Sequence, residues 1–478
     1  MLLRRFTSIC LRIAVVGVAV ATTACSHTER MSPVLDAFER GRYDRAAGAM
    51  TELLSDRRES EKDRTLYELE GGLVYAAAGE PSLSTQALAA ADARMWEYLD
   101  EAPDVRVSEQ AVAILSNQTI IAYRGTTYDR ILCSTYLALN HLAEGDLGAA
   151  GVSLRRALEW QRDAVEKNAK EIEALERQAK SASASKSYDV GRATSDPALR
   201  RGLDSAYGPL RELPGYGDFE VPLATQLRGL HFTLVGGGSE LEQATVAFRR
   251  VAGMLPEGER APILADAAAA EAAALGGPRT PTVHVFLESG LGPRLEEFRV
   301  DIPLFLRTVP YVGAAFPVLR RSDTAIRGFS LRAGGEAHGA ALLTDMDRVV
   351  GDDFNRRLPA IVTMTLVSSA TKAIATYAIQ DSLAKKNRDA AVLVAVLGGV
   401  YQFAVNRADL RIWSTLPKHV HYARCPAPAD GSVAIELGDG QRLAPIAVES
   451  DGVTIVHIRA SRPGAPPVVR TMRFPFAR

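Results

Sequence analysis

The chain has 478 residues, of which 47% are hydrophobic, 24% are charged and 6% are aromatic. This length and balance exclude a single small domain and argue against a disordered chain. The formal net charge of -1 leaves no basic excess for neutralising phosphates, so nucleic acid is not expected as a partner.

The first residues have the pattern of an export signal. Three arginines within residues 1–12 precede an apolar run over residues 13–21, which is shorter than the roughly 20 residues that span a bilayer. The sequence Thr-Thr-Ala-Cys at residues 22–25 then resembles the lipobox of bacterial lipoproteins, in which the cysteine becomes the lipidated first residue. The resemblance implies a signal peptide over residues 1–24, lipidation of Cys25 and, because Ser26 follows, anchoring on the periplasmic side of the outer membrane. An ordinary secretory signal with an unrelated cysteine is the alternative.

The next part of the chain is predicted to be helical. Over residues 31–274, apolar residues recur three and four positions apart and are interrupted by Gly and Pro. Four windows, near residues 41–53, 66–91, 137–157 and 244–256, resemble the second half of a tetratricopeptide repeat, in which small residues let helices approach closely. We therefore predict a tetratricopeptide-like helical solenoid domain over residues 25–275. A generic helical bundle is the alternative.

One helix of this region is predicted to be long and charged. It covers residues 153–179, with Leu158, Val165 and Ile172 seven positions apart. It is either a protruding coiled-coil arm or a helix packed on the domain. The serine-rich stretch that follows has no periodicity, which predicts a flexible loop over about residues 180–196.

After Gly276 the sequence changes to short alternating runs, which predicts a β-containing domain over residues 276–478. Runs at residues 282–287 and 298–302 flank a Gly-rich turn region and are interpreted as a hairpin. Further strands are predicted near residues 329–332, 419–424, 433–437, 453–458 and 468–474. The predicted fold class is therefore α+β, with a helical domain followed by a β-containing one.

Two apolar helical segments interrupt these strands and predict an inserted helical hairpin over residues 359–405. The second segment includes residues 390–400, which carry no charge. A membrane hairpin is one interpretation, but this segment is shorter than a span, and Lys372 belongs to a polar stripe on the first segment. A hairpin buried against the sheet or against another subunit is preferred.

The sequence also contains isolated fragments of catalytic and metal-binding motifs. Ser369 and Lys372 have the Ser-x-x-Lys spacing of penicillin-binding enzymes, but the accompanying Lys-Thr-Gly is absent. His419, His421 and Cys425 are alternate residues that share a strand face, without a fourth ligand nearby to complete a tetrahedral site. These fragments are interpreted as chance matches.

Two further features have structural explanations. The pair Asp352-Asp353 after Gly351 is similar to the acidic pair of some polymerases, but aspartates that cap a helix explain it more simply. Cys133 and Cys425 form either a disulfide or two buried thiols, and the apolar surroundings of Cys133 favour thiols. We therefore predict no enzymatic activity, no cofactor and no metal site.

Taken together, the lipobox, the helical region over residues 128–160 and residues 409–417 resemble a family of uncharacterised tetratricopeptide-repeat-containing bacterial outer-membrane lipoproteins. The resemblance implies a role in envelope assembly. We expect a non-enzymatic scaffold, anchored through lipid on Cys25, that binds envelope proteins or peptides in a groove of the stacked helices. The alternatives are an oligomeric secretion or pore component that uses the apolar hairpin, and a cell-wall or polysaccharide hydrolase. Homo-oligomerisation is left open.

Overall fold

A computed structural model describes residues 27–55, 61–100, 121–184, 188–305, 311–384 and 407–476. Cys25, the predicted signal peptide and the second segment of the predicted apolar hairpin lie outside these ranges. Within them the protein is a mixed α+β structure in which a helical region precedes a β region, as the sequence predicts. The helical region ends at Ala274 and the first strand begins at Thr282.

Most helices precede the strands, and one long helix lies between them. The helices are α1 His27–Glu39, α2 Tyr43–Ser55, α3 Arg64–Ala77, α4 Pro81–Asp100, α5 Thr127–Glu144, α6 Leu147–Ala184, α7 Val190–Thr194, α8 Pro197–Arg211, α9 Pro222–Val235, α10 Gly238–Met254, α11 Ala261–Ala274 and α12 Met346–Ala384.

The strands fall into one large and two smaller sheets. They are β1 Thr282–Ser289, β2 Arg294–Pro303, β3 Tyr311–Arg320, β4 Phe329–Ala333, β5 Glu336–Gly339, β6 Ala341–Asp345, β7 His419–Pro426, β8 Ser432–Leu437, β9 Ile446–Ala447, β10 Gly452–Ala460 and β11 Val468–Pro475.

Four helical hairpins occupy the four predicted repeat windows: α1–α2, α3–α4, α5–α6 and α9–α10. Their turns contain Gly41, Gly79, Gly145 and Gly236, each with a positive φ between 70° and 82°. Glycine reaches this left-handed conformation without the steric penalty that a Cβ atom brings, and it therefore ends the first helix of each pair. The helices α1 to α6 and then α9 to α11 pack mainly on their neighbours in this order, and we call this row the helical array.

Small residues set the close approach of helices within the hairpins. A Cβ added to Gly72 of α3 would lie 2.4 Å from the Leu88 side chain of α4. A Cβ added to Gly229 of α9 would lie 2.5 Å from the ring of Phe248 on α10. Both helix pairs are therefore packed at a separation that only glycine permits.

Helix α6 is longer than predicted, and the predicted loop after it is wrong in part. Residues 181–184 continue the helix, and α7 occupies part of the range from 188 to 196. The first half of α6 packs on the protein through Leu154, Ala157 and Ala164, which are at most 3% exposed, whereas Val165 is 45% exposed. The burial of this first half favours a packed helix there over a free arm.

The five-stranded sheet has the order β11-β10-β1-β7-β6, with β1 parallel to β10 and antiparallel to β7. The predicted hairpin between β1 and β2 is wrong, because both edges of β1 are already paired. Strand β2 instead pairs with β3, which the sequence analysis did not predict. A third sheet has the order β5-β4-β8-β9. The predicted strands near residues 329, 419, 433, 453 and 468 are all confirmed.

Alternate residues of β1 belong to different cores. Val283, Val285 and Leu287 belong to the core shared with the four-stranded sheet. Phe286 belongs to a second core that also contains side chains of the helical array. The five-stranded sheet, which we call the central sheet, is therefore buried on both faces. It lies between the helical array on one side and the four-stranded sheet on the other, which explains why every residue of β1 is buried.

The first segment of the predicted apolar hairpin lies within α12, which begins 13 residues earlier at Met346. Leu366, Val367 and Ala370 of this helix are at most 2% exposed and pack against the protein. The second segment is outside the described ranges, so the hairpin itself stays a prediction. No helix in the described part of the chain is both long and apolar enough to cross a membrane.

Candidate functional site

The residue predicted to carry lipid, Cys25, lies outside the described residues, but the chain is fixed just after it. His27, the first residue of α1, is buried, and its ring stacks on Tyr67 of α3 with the ring centroids 5.0 Å apart. Burial, and secondarily the positive charge of Arg411, lowers the pKa of His27 to about 3, so its ring is neutral at neutral pH. The chain is therefore held against the protein body two positions after Cys25.

The stretch over residues 407–418, which contains the 409–417 segment noted above, connects to β7 and lies between the helices and the central sheet. We call it the strap. Trp413 is 1% exposed, and its ring lies 6.1 Å from that of Tyr136 on α5. The carbonyl of Leu416 accepts a hydrogen bond from Gly292 at 2.7 Å, just beyond the end of β1. The strap therefore contacts both layers.

Arg411 holds the first part of the strap. Its guanidinium pairs with Asp409 at 2.6 Å and with Asp63 at 3.1 Å, and donates to the carbonyl of Ile121 at 2.7 Å. Burial alone would raise the pKa of Asp409, but the Arg411 guanidinium beside it holds that pKa below its usual value. We call this set of contacts the Arg411 junction, and it joins three stretches of chain that are distant in sequence.

Glu70 of α3 holds the middle of the strap. Its buried carboxyl accepts hydrogen bonds from the backbone N–H groups of Ser414 and Thr415, at 2.6 and 2.9 Å. Burial raises the pKa of this carboxyl to about 7, although the hydrogen bonds oppose the shift. Arg459 of β10 donates to the carbonyl of Thr415 at 3.1 Å. The strap is thus bonded to a helix on one side and to the sheet on the other.

A second buried polar cluster joins the last helices of the array to the sheet. The carboxylate of Asp266 on α11 accepts hydrogen bonds from Gln226 at 2.9 Å and from the Tyr422 hydroxyl, and pairs with Arg424 at 2.8 Å. His284 of β1 contacts the same hydroxyl at 2.7 Å. Burial raises the pKa of Asp266 to about 6 and lowers that of His284 well below its usual value.

Similar hydrogen bonds between the helices and the sheet occur at the first two hairpins. The Tyr43 hydroxyl donates to Ser461 Oγ at 3.3 Å, and Arg470 of β11 donates to the carbonyl of Ala76. Bonds between the two layers therefore occur from the first hairpin to the last. The chain's own sheet and strap therefore cover the side of the helical array that they contact.

The residues of the Ser-x-x-Lys fragment are both buried on α12. Ser369 is 3% exposed and Lys372 is 7% exposed. Burial lowers the pKa of Lys372 to about 8, which leaves a mixture of charged and neutral forms near neutral pH. Both side chains face the protein interior.

His419, His421 and Cys425 do share one face of β7, as predicted from their alternate spacing. The two imidazole rings lie 5.6 Å apart, and burial lowers the pKa of each to about 4. Among the described residues no group of three or more metal-binding side chains is arranged to hold an ion. Cys425 and Cys133 are both buried free thiols.

The prediction that the acidic pair caps a helix is wrong. Asp352 and Asp353 lie in the second turn of α12, where they pair with Arg356 at 2.9 Å and Arg357 at 3.4 Å, each four residues on. Helix α12 starts at Met346, which places both aspartates inside it. They line a cavity of about 10 Å³, enough for roughly one water molecule.

A larger open groove lies at the turns of the first two hairpins. It has a volume of about 610 Å³, and we call it the turn groove. Its lining residues are Gly41, Arg42, Tyr43, Asp44, Arg45, Ala77, Ala78, Gly79 and Val468. Charged and apolar side chains meet there at the surface.

Glu70, Asp266 and the partners of Arg411 were not among the site residues predicted from the sequence. Glu70 gives a weak local signal, since it stands in the apolar stretch of α3, but nothing in the sequence identifies its partners 344 positions away. Comparison of the chain with protein-family models, with curated proteins and with solved structures finds no match.

Proposed function

We propose that this chain is a lipid-anchored protein on the periplasmic side of the outer membrane that acts as a non-enzymatic scaffold for envelope proteins or peptides. The observation that carries the proposal is the sequential packing of helical hairpins in the helical array. Tetratricopeptide and related solenoids use this arrangement to present extended binding surfaces. The lipobox-like residues that end at Cys25 supply the anchor.

The buried polar clusters also support a scaffold. The carboxyl oxygens of Glu70 and Asp266 accept hydrogen bonds from groups of the opposite layer or of a neighbouring helix, and they hold the two layers together. Such bonds make the array rigid, and a rigid surface loses less entropy when it binds a partner. We place the partner at the turn groove, because the chain's own sheet and strap cover the side of the hairpins that they contact.

The anchor is tested with Cys25→Ser. If lipid on Cys25 holds the protein at the membrane, the variant should incorporate no radiolabelled palmitate and should leave the membrane fraction. The wild-type chain expressed in parallel is the reference. Equal labelling of the two proteins would contradict the proposal.

Binding at the turn groove is tested by site-specific photo-cross-linking in cells. A photoreactive amino acid at Asp44, which lines the groove, should give discrete adducts with an envelope protein. The control position is Glu242, which is exposed on α10. The charge reversal Arg45→Glu should reduce the Asp44 adducts if the groove is the contact. Absence of adducts at Asp44, or the same adducts at both positions, would count against a scaffold that binds there.

A further inference from the structure

Strand β11 forms one edge of the central sheet. Among the described strands it pairs only with β10, in an antiparallel register that runs from Gly452 opposite Pro475 to Arg459 opposite Val468. A strand at the edge of a sheet presents a row of unpaired backbone groups to its surroundings. The register of β10 and β11 identifies the residues that present them.

The backbone groups of β11 point alternately toward β10 and away from it. The N–H of Phe476, just beyond the strand, donates to the carbonyl of Asp451 at 2.9 Å. In an antiparallel pair, every second residue exchanges both of its backbone hydrogen bonds with the partner strand, and the residues between point the other way. The N–H and carbonyl groups of Val469, Thr471 and Arg473 therefore face away from β10, along the open edge.

These outward groups have no hydrogen-bond partner in the part of the chain that the structure describes. Val469 is 38% exposed, and Arg473 is also exposed. Pro475 occupies the next outward position, where a strand tolerates proline because no N–H is needed there for the pairing with β10. The group that satisfies such a row of donors and acceptors is the backbone of another extended strand.

The side chains of β11 favour an acidic strand as the occupant. The exposed Arg473 donates to the carbonyl of Ala447 at 2.9 Å, and Arg470 donates to the carbonyl of Ala76, so both guanidinium groups contact neutral oxygens. The strand contains no acidic residue. Opposite charges on facing residues stabilise a strand pair. Two copies joined through β11 would gather the arginines of both strands without a carboxylate from either, which favours an acidic strand over a second copy.

The acidic residues nearby lie beyond the two ends of the strand. Asp44 lines the turn groove, which also contains two arginines, at the start of β11. Glu449 and Asp451 precede β10 at the other end, but the guanidinium of Arg473 contacts the Ala447 carbonyl rather than either carboxylate. The positive charge of Arg473 is therefore left for a carboxylate of the occupant.

We infer that β11 accepts an extended acidic segment of the partner as a sixth strand of the central sheet. The inference rests on the proposed function, because Val468 at the start of β11 also lines the turn groove, so that a segment bound in the groove can continue along the edge. In an antiparallel addition, an acidic residue of the segment stands opposite Arg473. An apolar residue four positions later then stands opposite Val469.

The charge preference is tested with a short fluorescent peptide that has glutamate and valine at these two places. The control peptide has lysine in place of the glutamate, and binding to the full-length chain in detergent is measured by fluorescence anisotropy. The wild type should bind the glutamate peptide severalfold more tightly than the lysine peptide. Arg473→Glu should reverse this preference. Arg201→Glu, which changes an exposed arginine on α8, should leave it unchanged.

The backbone contact is tested with Thr471→Pro, which removes one outward N–H but no hydrogen bond to β10. Its affinity for the glutamate peptide should fall about tenfold, because a backbone hydrogen bond is lost and a carbonyl of the peptide loses its donor. Thr471→Ala keeps the N–H and should bind like the wild type. Should Thr471→Pro not fold, as judged by circular dichroism, Val469→Pro replaces it, since the N–H of Val469 also faces outward.

Several results would overturn the inference. One is failure of the wild type to bind the glutamate peptide, and another is equal affinity of the folded proline and alanine variants. A wild-type dimer in sedimentation that Thr471→Pro converts to a monomer would assign the edge to a second copy instead. The Asp44 cross-links are a separate measurement: their absence contradicts binding at the turn groove, whereas a failure confined to β11 leaves that proposal standing.

Discussion

Glu70→Gln should destabilise the protein to an extent that depends on pH. The wild-type carboxyl accepts hydrogen bonds from the backbone N–H groups of Ser414 and Thr415. Glutamine keeps one oxygen acceptor but turns an NH2 group toward the other donor. A buried N–H left without an acceptor costs about 1–3 kcal/mol of unfolding free energy. We expect a loss of this size near pH 5.

The pH dependence follows from the pKa of Glu70, which burial raises from 4.5 to about 7. A carboxyl with a raised pKa in the folded protein stabilises it fully below the unfolded pKa, and this contribution is lost as the pH rises through the folded pKa. The shift corresponds to roughly 3 kcal/mol. Glutamine does not titrate, so the difference in unfolding free energy between wild type and variant should shrink by about this amount between about pH 5 and pH 8.

The assay is urea denaturation followed by far-ultraviolet circular dichroism at several pH values. Glu52→Gln is the matched control, because Glu52 is exposed on α2, and its unfolding free energy should follow that of the wild type at every pH. A difference between wild type and Glu70→Gln that stays constant or grows as the pH rises would refute the reasoning. It would mean that the two N–H donors stabilise the carboxylate more than burial penalises it.

Further predictions concern the close helix packing and the Arg411 junction. Gly72→Ala should lower the unfolding free energy by about 1–3 kcal/mol, because its Cβ would lie 2.4 Å from Leu88, whereas Gly48→Ala in α2 meets nothing within 4 Å and should stabilise by up to about 1 kcal/mol. Equal thermal midpoints for the two variants would contradict this packing. Arg411→Lys keeps the positive charge, but lysine cannot contact Asp63 and the Ile121 carbonyl at once as the forked guanidinium does. Calorimetry should therefore show that the unfolding free energy falls by about 2 kcal/mol or more. An unchanged melting temperature would show that a positive charge alone is enough to hold the junction.

The sequence predicted the helical hairpins well, because their signals are local. A glycine at the turn and small residues at the helix crossing act over a few positions, and Gly145 with Ala150 marks such a hairpin in the sequence. The strands were also recognisable one by one. Their pairing was not, because β1 pairs with β10, which lies more than 160 positions later, rather than with its neighbour β2. Pairing depends on which edges remain free after the whole chain has folded.

The candidate site was largely beyond sequence reasoning for the same reason. Glu70 and Arg411 are charged residues that become buried only because a partner arrives from the other end of the chain. A single charged residue is ordinarily exposed, so nothing local marks these two as internal. The isolated Ser-x-x-Lys, His-x-His and Asp-Asp fragments mislead in the opposite direction. They match short catalytic or metal-binding patterns, but their surroundings are unrelated to the sites in which those patterns function.

The placement of β1 has a consequence for how the chain reaches its folded state. During synthesis, all nine helices of the array and β1 precede β7 and β10, the two strands that must pair with β1. Until those strands arrive, both edges of β1 lack their hydrogen-bonding partners, and Val283, Val285 and Leu287 on the face away from the array are uncovered. Contacts between such distant parts of a chain form slowly, and an intermediate with bare apolar surface is prone to aggregate. The protein should therefore depend on a holding chaperone until its last strands are available.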